Sequence, residues 1–410
     1  MSPGRSPSFD ADVAIVGGGP AGTATALHLV RREGVAASRI VILEKARHPR
    51  DKPCAGAIST WGLDALEAIG IAVDVPHAPM RGLRVIAQGV SGVHDGPLGV
   101  IVRRCEFDAS LWRRAAGDGV VTLDGEPLVA LERLDGGWRL RTPARVLTAR
   151  FVAACDGAGS AVRKLLGLPE SARKGHLYVA ETPVAPGDDG PRRGLCEFDL
   201  RVADAGVDGY YWDFPTLVDG APAVNRGIYH ANFTPLPDLK QRLAASLAAR
   251  GIDIAKVKLR PFSTRPLVPG SQLALDRLAL VGEAAGIDAT TGEGIAQAIL
   301  TAALAAKHLA RSVQTGDASL DGYAREVRAS RVGRHLLQSA WLARRVYGTR
   351  GAPWRSFVAE NDLAREAGAR WYAGRPLSWR TKARLTMGLA LAVRRGGALT
   401  RRAEAGAAHA

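Results

Sequence analysis

A chain of 410 residues and 43.2 kDa is long enough for two or three domains with sizeable cores. Its 47% apolar content and mean hydropathy of −0.02 fit a folded globular protein, and no run reaches the ~18 apolar residues of a membrane span. The net charge is +15, with 18 Lys/Arg against 6 Asp/Glu from Asp321 onward, and the four cysteines form no CxxC pair, which excludes a disulfide framework or zinc-finger spacing and favours a reduced, cytoplasmic setting.

Taken in chain order, Met1–Asp10 is polar and rich in Pro and Ser, a lead-in without the apolar core of a signal peptide. An apolar strand from Asp12 then runs into Gly17-x-Gly19-x-x-Gly22 and a helical pattern through Val30. Gly17 permits a tight turn, Gly19 lets backbone N–H groups approach a diphosphate, and Gly22 lets helix and strand pack closely. A diphosphate there sits at the positive end of the helix. The next apolar strand, Ile40-Val-Ile-Leu43, ends in Glu44, 22 residues after Gly22, where a carboxylate can accept from ribose hydroxyls. Together these predict a bound dinucleotide.

Short apolar segments with turn signals follow at Gly82–Ile86, Gly99–Val102, Trp138–Arg141, His176–Val179, Tyr210–Phe214 and Arg226–His230, and they predict a second, mixed or antiparallel sheet. Helical stretches at Glu106–Arg114, Asp238–Ala249 and Gly292–Ala310 interrupt them, and Ala279-Leu-Val-Gly282 reads as a strand returning to the first sheet. The expected fold is α/β: a discontinuous Rossmann-like dinucleotide domain (1–75, 99–170 and 272–312), an inserted β-sheet substrate domain (76–98 and 171–271), and a basic helical region over 313–410. That last region interleaves arginines with Trp341, Trp354, Trp371, Trp379 and the run Met387–Val393. It is either a solvated arginine-rich helical unit or an interfacial element that touches an anionic membrane surface, and it does not have the character of a nucleic-acid reader.

Chemistry concentrates in four further segments. Cys155-Asp156-Gly157 ends the strand Arg150–Ala154 and places a carboxylate near a bound nucleotide. Arg104 starts a helix and either reaches a phosphate or flavin edge or is an ordinary exposed arginine. Gly282-Glu283 followed by Thr291-Gly292-Glu293-Gly294-Ile295 combines a carboxylate for hydroxyl groups with a helix N-terminus suited to developing negative charge. The order of these motifs, from about Asp12 to Ala310, resembles the FAD proteins of the glutathione-reductase-type superfamily, in its single-component hydroxylase and prenyl-reductase branch. Within that branch, Lys52-Pro-Cys54-Ala-Gly-Ala-Ile-Ser59 resembles the cysteine loop of the geranylgeranyl reductase family, and Gly209-Tyr-Tyr-Trp-Asp-Phe-Pro215 resembles its Tyr-x-Trp-x-Phe-Pro signature.

The resemblance implies FAD held by Gly17, Gly19, Pro20, Ala21, Gly22, Glu44, Lys45, Cys54, Ala55, Arg104, Val129, Asp156, Gly157, Glu283, Gly292, Gly294 and Ile295, with no metal. It implies Cys54 beside the flavin, with Tyr210, Trp212 and Phe214 lining a substrate cavity, and Cys54, Tyr210 and Trp212 as the catalytic candidates. From the residues alone, Cys54 also reads as an inert buried thiol and the aromatic segment as ordinary strand core. Two departures stand out: the family's Gly-Asp pair is Gly282-Glu283 here, and the proline that usually precedes Thr-Gly-Glu-Gly is Ala289 or Thr290. The implied reaction is reduction of isoprenoid C=C bonds in a prenyl lipid or quinone, with NAD(P)H or reduced ferredoxin as electron donor. Arg47, Arg50 and Lys52 suit either a substrate diphosphate or the adenosine diphosphate of the cofactor. The alternatives are an FAD-dependent monooxygenase or halogenase acting on an aromatic or polyketide-type molecule, and a flavin-binding protein without turnover. Against the first, Ile287 stands where a hydroxylase carries its histidine pattern, and no early Trp-Lys pair marks a halogenase. The expected location is cytoplasmic, with peripheral contact at the inner membrane face through the basic C-terminal region.

Overall fold

A computed structural model of the chain describes residues 9–170, 174–348 and 350–407, with side chains described through Arg394. Most of the expected lead-in, and the last three residues of the basic region, lie outside these.

Two sheets of eight strands each organise the molecule. In the first, the strands run in the order Ala274–Leu275, Leu278–Leu280, Val146–Ala154, Ala11–Val16, Ile40–Glu44 and Val121–Asp124. Its central strands pair in parallel, Val13 opposite Ile40 and Phe151. Val13, Ala14, Ile15, Phe151 and Leu280 are fully buried, as expected of parallel strands covered on both faces by helices. Each fully buried Ile or Phe contributes roughly 1.5–3 kcal/mol. The strand Leu278–Leu280 does return to this sheet, beside Val152–Ala154. Trp138–Arg141, expected in the second sheet, belongs here instead: Gly137–Arg141 forms a meander with Ala130–Leu134 and Val146–Ala154. The tight loops on both sides of this strand make antiparallel pairing with its sequence neighbours the short route.

The second sheet runs Arg260–Thr264, Gly175–Pro183, Ala221–His230, Gly209–Val218, Leu195–Asp199, His77–Ala87, Val90–Val102 and Ala57–Ser59. Two of its members cross the expected division between domains. Val90–Val102 is one continuous strand through the boundary at 98/99, and Ala57–Ser59, just after Cys54, pairs with it. The segment carrying Cys54 therefore leads from the first domain directly onto the edge of the second sheet.

Helices join the two units. Pro20–Arg31 follows the glycine loop and packs against Ile295–Thr315. The buried face of the latter includes Ala298, Ala302, Ala305 and Ala306, whose small side chains let the helices approach closely. Beyond Leu320 the chain is helical: Asp321–Ala329, Arg331–Tyr347, Ala352–Glu360, Asp362–Tyr372 and Trp379–Ala407. Among the described residues no helix is long and apolar enough to cross a membrane.

Candidate cofactor and substrate cavity

A cavity of about 520 Å³ runs from the glycine loop to the second sheet. At its first end Gly17 has φ +107°, and a Cβ there would lie 2.5 Å from the Cys155 carbonyl oxygen. At Gly22 a Cβ would stand 1.9 Å from the Gly17 oxygen. Gly22 thus sits behind the loop, closing helix against turn, and does not itself line the cavity. The helix begins with Pro20 in its first turn and has no side-chain cap, so the first-turn N–H groups remain available to an anion.

Glu44 is 5% exposed and accepts from Gly18 N–H at 2.8 Å through Oε2 and from Ala46 N–H at 3.0 Å through Oε1. Next to the loop stands a buried charge cluster. Arg104 forks onto Asp108 at 2.7 and 2.8 Å, one helical turn on, and Arg50 Nη2 lies 3.2 Å from the same carboxylate. Burial opposes the Arg104 charge, but the Asp108 carboxylate outweighs it and pushes the pKa above its ordinary value. Asp108 is fully buried and was not among the expected site residues; its spacing of four from Arg104 was the available signal. Of the basic trio, Arg50 and Lys52 line the cavity, whereas Arg47 packs beside Gly125 instead.

Midway, Asp156 accepts from Val162 N–H at 3.0 Å, and Gly157 turns with φ +78° toward Glu283. Lys52 Nζ stands 3.8 Å from Glu283 Oε2 and 3.6 Å above the Phe262 ring. Burial lowers the Lys52 pKa to about 8, with Glu283 opposing that fall. Burial also raises the Glu283 pKa, while Lys52 and Arg104 pull it back. The longer glutamate is thus met by a cation across the cavity.

At the far end the strand Gly209–Val218 turns Tyr210, Trp212 and Phe214 into the cavity, all 3–4% exposed. Phe198 packs between Tyr210 and Phe214, tilted against the first at 5.2 Å between ring centroids and edge-on to the second at 5.1 Å. Leu177, Tyr229, Phe262 and Tyr372 complete an apolar chamber. Trp212 Nε1 donates to Asn225 Oδ1 at 3.0 Å, and Asn225 Nδ2 donates to the Cys54 carbonyl at 3.1 Å. Asn225 therefore ties the aromatic wall to the cysteine loop. The intervening residues face away: Tyr211 and Asp213 join a second charge layer in which the fully buried Arg226 reaches Asp213 and Asp188 at 2.6 Å each.

The loop before the helix Ile295–Thr315 is held by its carbonyls. Tyr229 donates to Ala289 O at 3.1 Å, Tyr347 to Thr290 O at 2.7 Å, and Tyr210 to Thr291 O. Below them Asp288 Oδ1 accepts from Thr291 N–H at 2.7 Å and from Ser339 Oγ at 2.8 Å. These side chains supply the rigidity that the absent proline would have given. Glu293, in the same loop, lines the cavity and bonds Gln297; burial raises its pKa to about 8.

Every expected cofactor residue lines this one cavity except Gly22 and Val129. Val129 is 44% exposed and donates its N–H to Arg141 O on the meander, so its neighbour Leu128 faces the cavity in its place. The expected residues missed Asp108, Asn225, Tyr229, Tyr347 and Tyr372. Of these, the two last come from the helical C-terminal region, where no motif marks them. The lining suits an elongated anionic dinucleotide. Asp156 Oδ1 and Glu293 Oε1 are buried without a hydrogen-bond partner, and Arg50 Nε has only its 3.5 Å ion pair with Glu44, which leaves polar positions along its length for a ligand to satisfy.

Comparison with known proteins agrees with this geometry. Residues 10–188 match the FAD binding domain family. The chain is 28% identical over 333 residues to the menaquinone reductase of Mycobacterium tuberculosis, covering 73% of this chain and 76% of that one. It is 26% identical over 346 residues to the digeranylgeranylglycerophospholipid reductase of Methanothrix thermoacetophila, covering 79% and 85%. Among solved structures, a geranylgeranyl bacteriochlorophyll reductase-like protein from Thermoplasma acidophilum shares the fold with a TM-score of 0.68 at 20% identity, over 92% of this chain and 95% of that one. A flavin-dependent brominase also shares the fold, with a TM-score of 0.69 at 16% identity over 94% and 99%. The fold and the glycine-loop site define an FAD-dependent flavoprotein. The expected resemblance to the geranylgeranyl reductases stands, at modest identity.

Proposed function

We propose that the protein reduces C=C bonds of an isoprenoid chain on a lipid or quinone, using FAD and an external donor, either NAD(P)H or a reduced ferredoxin. The observation that carries this reading is the single cavity in which the polar glycine-loop end opens onto the aromatic chamber of Tyr210, Trp212, Phe214 and Phe198. Such a chamber accommodates a long apolar chain without leaving polar groups unpaired.

FAD held here and reduced by the external donor would supply the hydride. The chain's own residues do the rest. The Arg104–Asp108–Arg50 cluster presents fixed positive charge beside Gly19, suited to the diphosphate. Lys52 and Glu283 face one another across the middle of the cavity, and the apolar chamber excludes water and orients the alkene. A proton must reach the second alkene carbon. Tyr210 faces the chamber with its hydroxyl committed to Thr291, and Cys54 lies at the junction tied by Asn225. These two are the proton-holding candidates, directly or through a water.

The test is an anaerobic incubation of the FAD-loaded protein with dithionite or NADPH and geranylgeranyl compounds or menaquinone. Products heavier by two hydrogens per turnover are expected. Product that forms only with oxygen would replace this reading with a monooxygenase or halogenase activity.

A further inference from the structure

The helix Trp379–Ala407 is apolar on two opposite faces. Thr381, Leu385, Gly388, Leu389 and Ala392 recur at helical spacing and are partly buried, and the helix packs against Ala352–Glu360 and Asp362–Tyr372. Gly388 belongs to that seam, since a Cβ there would meet the Phe357 ring at 3.0 Å. Among the described residues nothing covers the other face. Trp379 is 74% exposed, Met387 60% and Leu391 55%, and the exposed Ala383 and Ala390 fall between them. At 100° per residue Trp379, Ala390, Ala383 and Met387 share one arc with Arg394 inside it, Leu391 follows just beyond Met387 between Arg380 and Arg384, and Lys382 stands on the far side of Trp379. From Trp379 to Arg394 there is no acidic residue. A second exposed tryptophan, Trp341 at 52%, lies under Arg345 at 3.5 Å on a helix that also packs against Ala352–Glu360.

From this pattern we infer that the outward stripe of Trp379–Arg394 docks on an anionic lipid surface. Solvent exposure of Trp379, Met387 and Leu391 is unfavourable in water, and a bilayer interface accepts them while the interleaved cations Arg380, Arg384 and Arg394 meet lipid phosphates. Nucleic acid would also attract the cations, but it offers nothing to the exposed Trp379, Met387 and Leu391 side chains. The helix lies along the interface and does not cross it, since no described helix is long and apolar enough to span. The helix Asp362–Tyr372 beneath it ends in Tyr372, which lines the cavity, so the docked face is one helix away from the chamber wall. This inference stands on the surface alone and holds or fails independently of the reaction.

The full-length protein, with its flavin, is mixed with vesicles of phosphatidylcholine alone or containing about a third phosphatidylglycerol, and sedimented. We expect binding to the anionic vesicles that weakens with salt, quenching of tryptophan fluorescence by brominated lipid, and at least about tenfold weaker partition for the Met387→Ser/Leu391→Ser double variant. Flavin content and the far-UV spectrum of that variant should match the wild type. A wild-type protein that stays in solution and is not quenched overturns the inference without any variant. Equal binding by the double variant overturns it as well, and so does salt-sensitive binding to DNA or RNA with none to vesicles.

Discussion

The Tyr347 hydroxyl donates to the Thr290 carbonyl over 2.7 Å, so a residue from the C-terminal helices holds the loop that opens the cavity's central helix. Both groups are buried, and Tyr347→Phe leaves the carbonyl without this donor. The expected cost is about 1–3 kcal/mol of stability. FAD affinity should fall several-fold as the loop slackens. Thermal unfolding and flavin titration check both. An unchanged flavin affinity would mean that Tyr210 and Tyr229 hold the loop without Tyr347.

Gly22→Ala tests the loop from behind. Its Cβ would overlap the Gly17 carbonyl, which is backbone and cannot rotate away. The variant should purify without flavin and unfold several degrees lower. Gly368, by contrast, has nothing within 4 Å of a Cβ and does not line the cavity, so Gly368→Ala should keep its flavin.

Asn225 is the next target. Asn225→Ala removes the acceptor for Trp212 Nε1 and the donor to the Cys54 carbonyl together. A loss of roughly 1–3 kcal/mol is expected. The cysteine loop should also loosen, so the rate of Cys54 labelling by a maleimide should rise. Mass spectrometry of labelled peptides separates Cys54 from Cys155 and Cys196, which are buried.

Glu293 supplies a pH dependence. Burial, reinforced by Asp288 and opposed by Gln297 and Ser59, raises its pKa from 4.5 to about 8. Below pH 4.5 the carboxyl is neutral in both folded and unfolded chains, and its contribution to stability is at its greatest. Between there and about pH 8 the unfolded chain ionises while the folded one holds its proton, so stability drains away as pH rises. Glu293→Gln should flatten that slope, gaining on the wild type by roughly a few kcal/mol at pH 8 relative to pH 4.5. Denaturant unfolding of the flavin-free protein across this range checks it; parallel wild-type and variant curves would refute it.

A fifth test addresses the charge layer behind the aromatic wall. Arg226→Met strands the buried Asp213 and Asp188 carboxylates, although Arg250 still reaches Asp213. A cost of about 3–5 kcal/mol is expected by denaturant unfolding. A near-neutral result would show that Arg250 alone compensates.

Much of the cofactor end was legible in the sequence because its logic is local. A strand, a glycine turn and a helix N-terminus are contiguous, so Gly17, Glu44, Asp156 and Glu283 stand out by spacing alone. The alternation of Tyr210, Trp212 and Phe214 was equally readable, since every second residue of a strand shares a face. The bracing was not. Asn225 meets Trp212 only because the antiparallel register sets Phe214 opposite Asn225, two residues along from Trp212 opposite Gly227. Tyr347 and Tyr372 act more than 50 residues from the loop they approach, inside a region whose composition spoke of charge and tryptophan. Trp138–Arg141 was placed in the wrong sheet because an isolated short strand carries no record of its partner.

The alternation along Gly209–Val218 also distributes the burden of that wall unevenly. Tyr211 and Asp213 are bound into the charge layer, Tyr210 owes its hydroxyl to Thr291 and Trp212 its indole N–H to Asn225. Phe214 alone among these chamber residues has no polar atom to satisfy. It is the position at which an ancestor or a descendant of this chain can change the length and girth of the chamber one substitution at a time, leaving the scaffold intact. Change in the part of the chamber built by this strand is therefore channelled through Phe214, while its neighbours on the strand stay fixed.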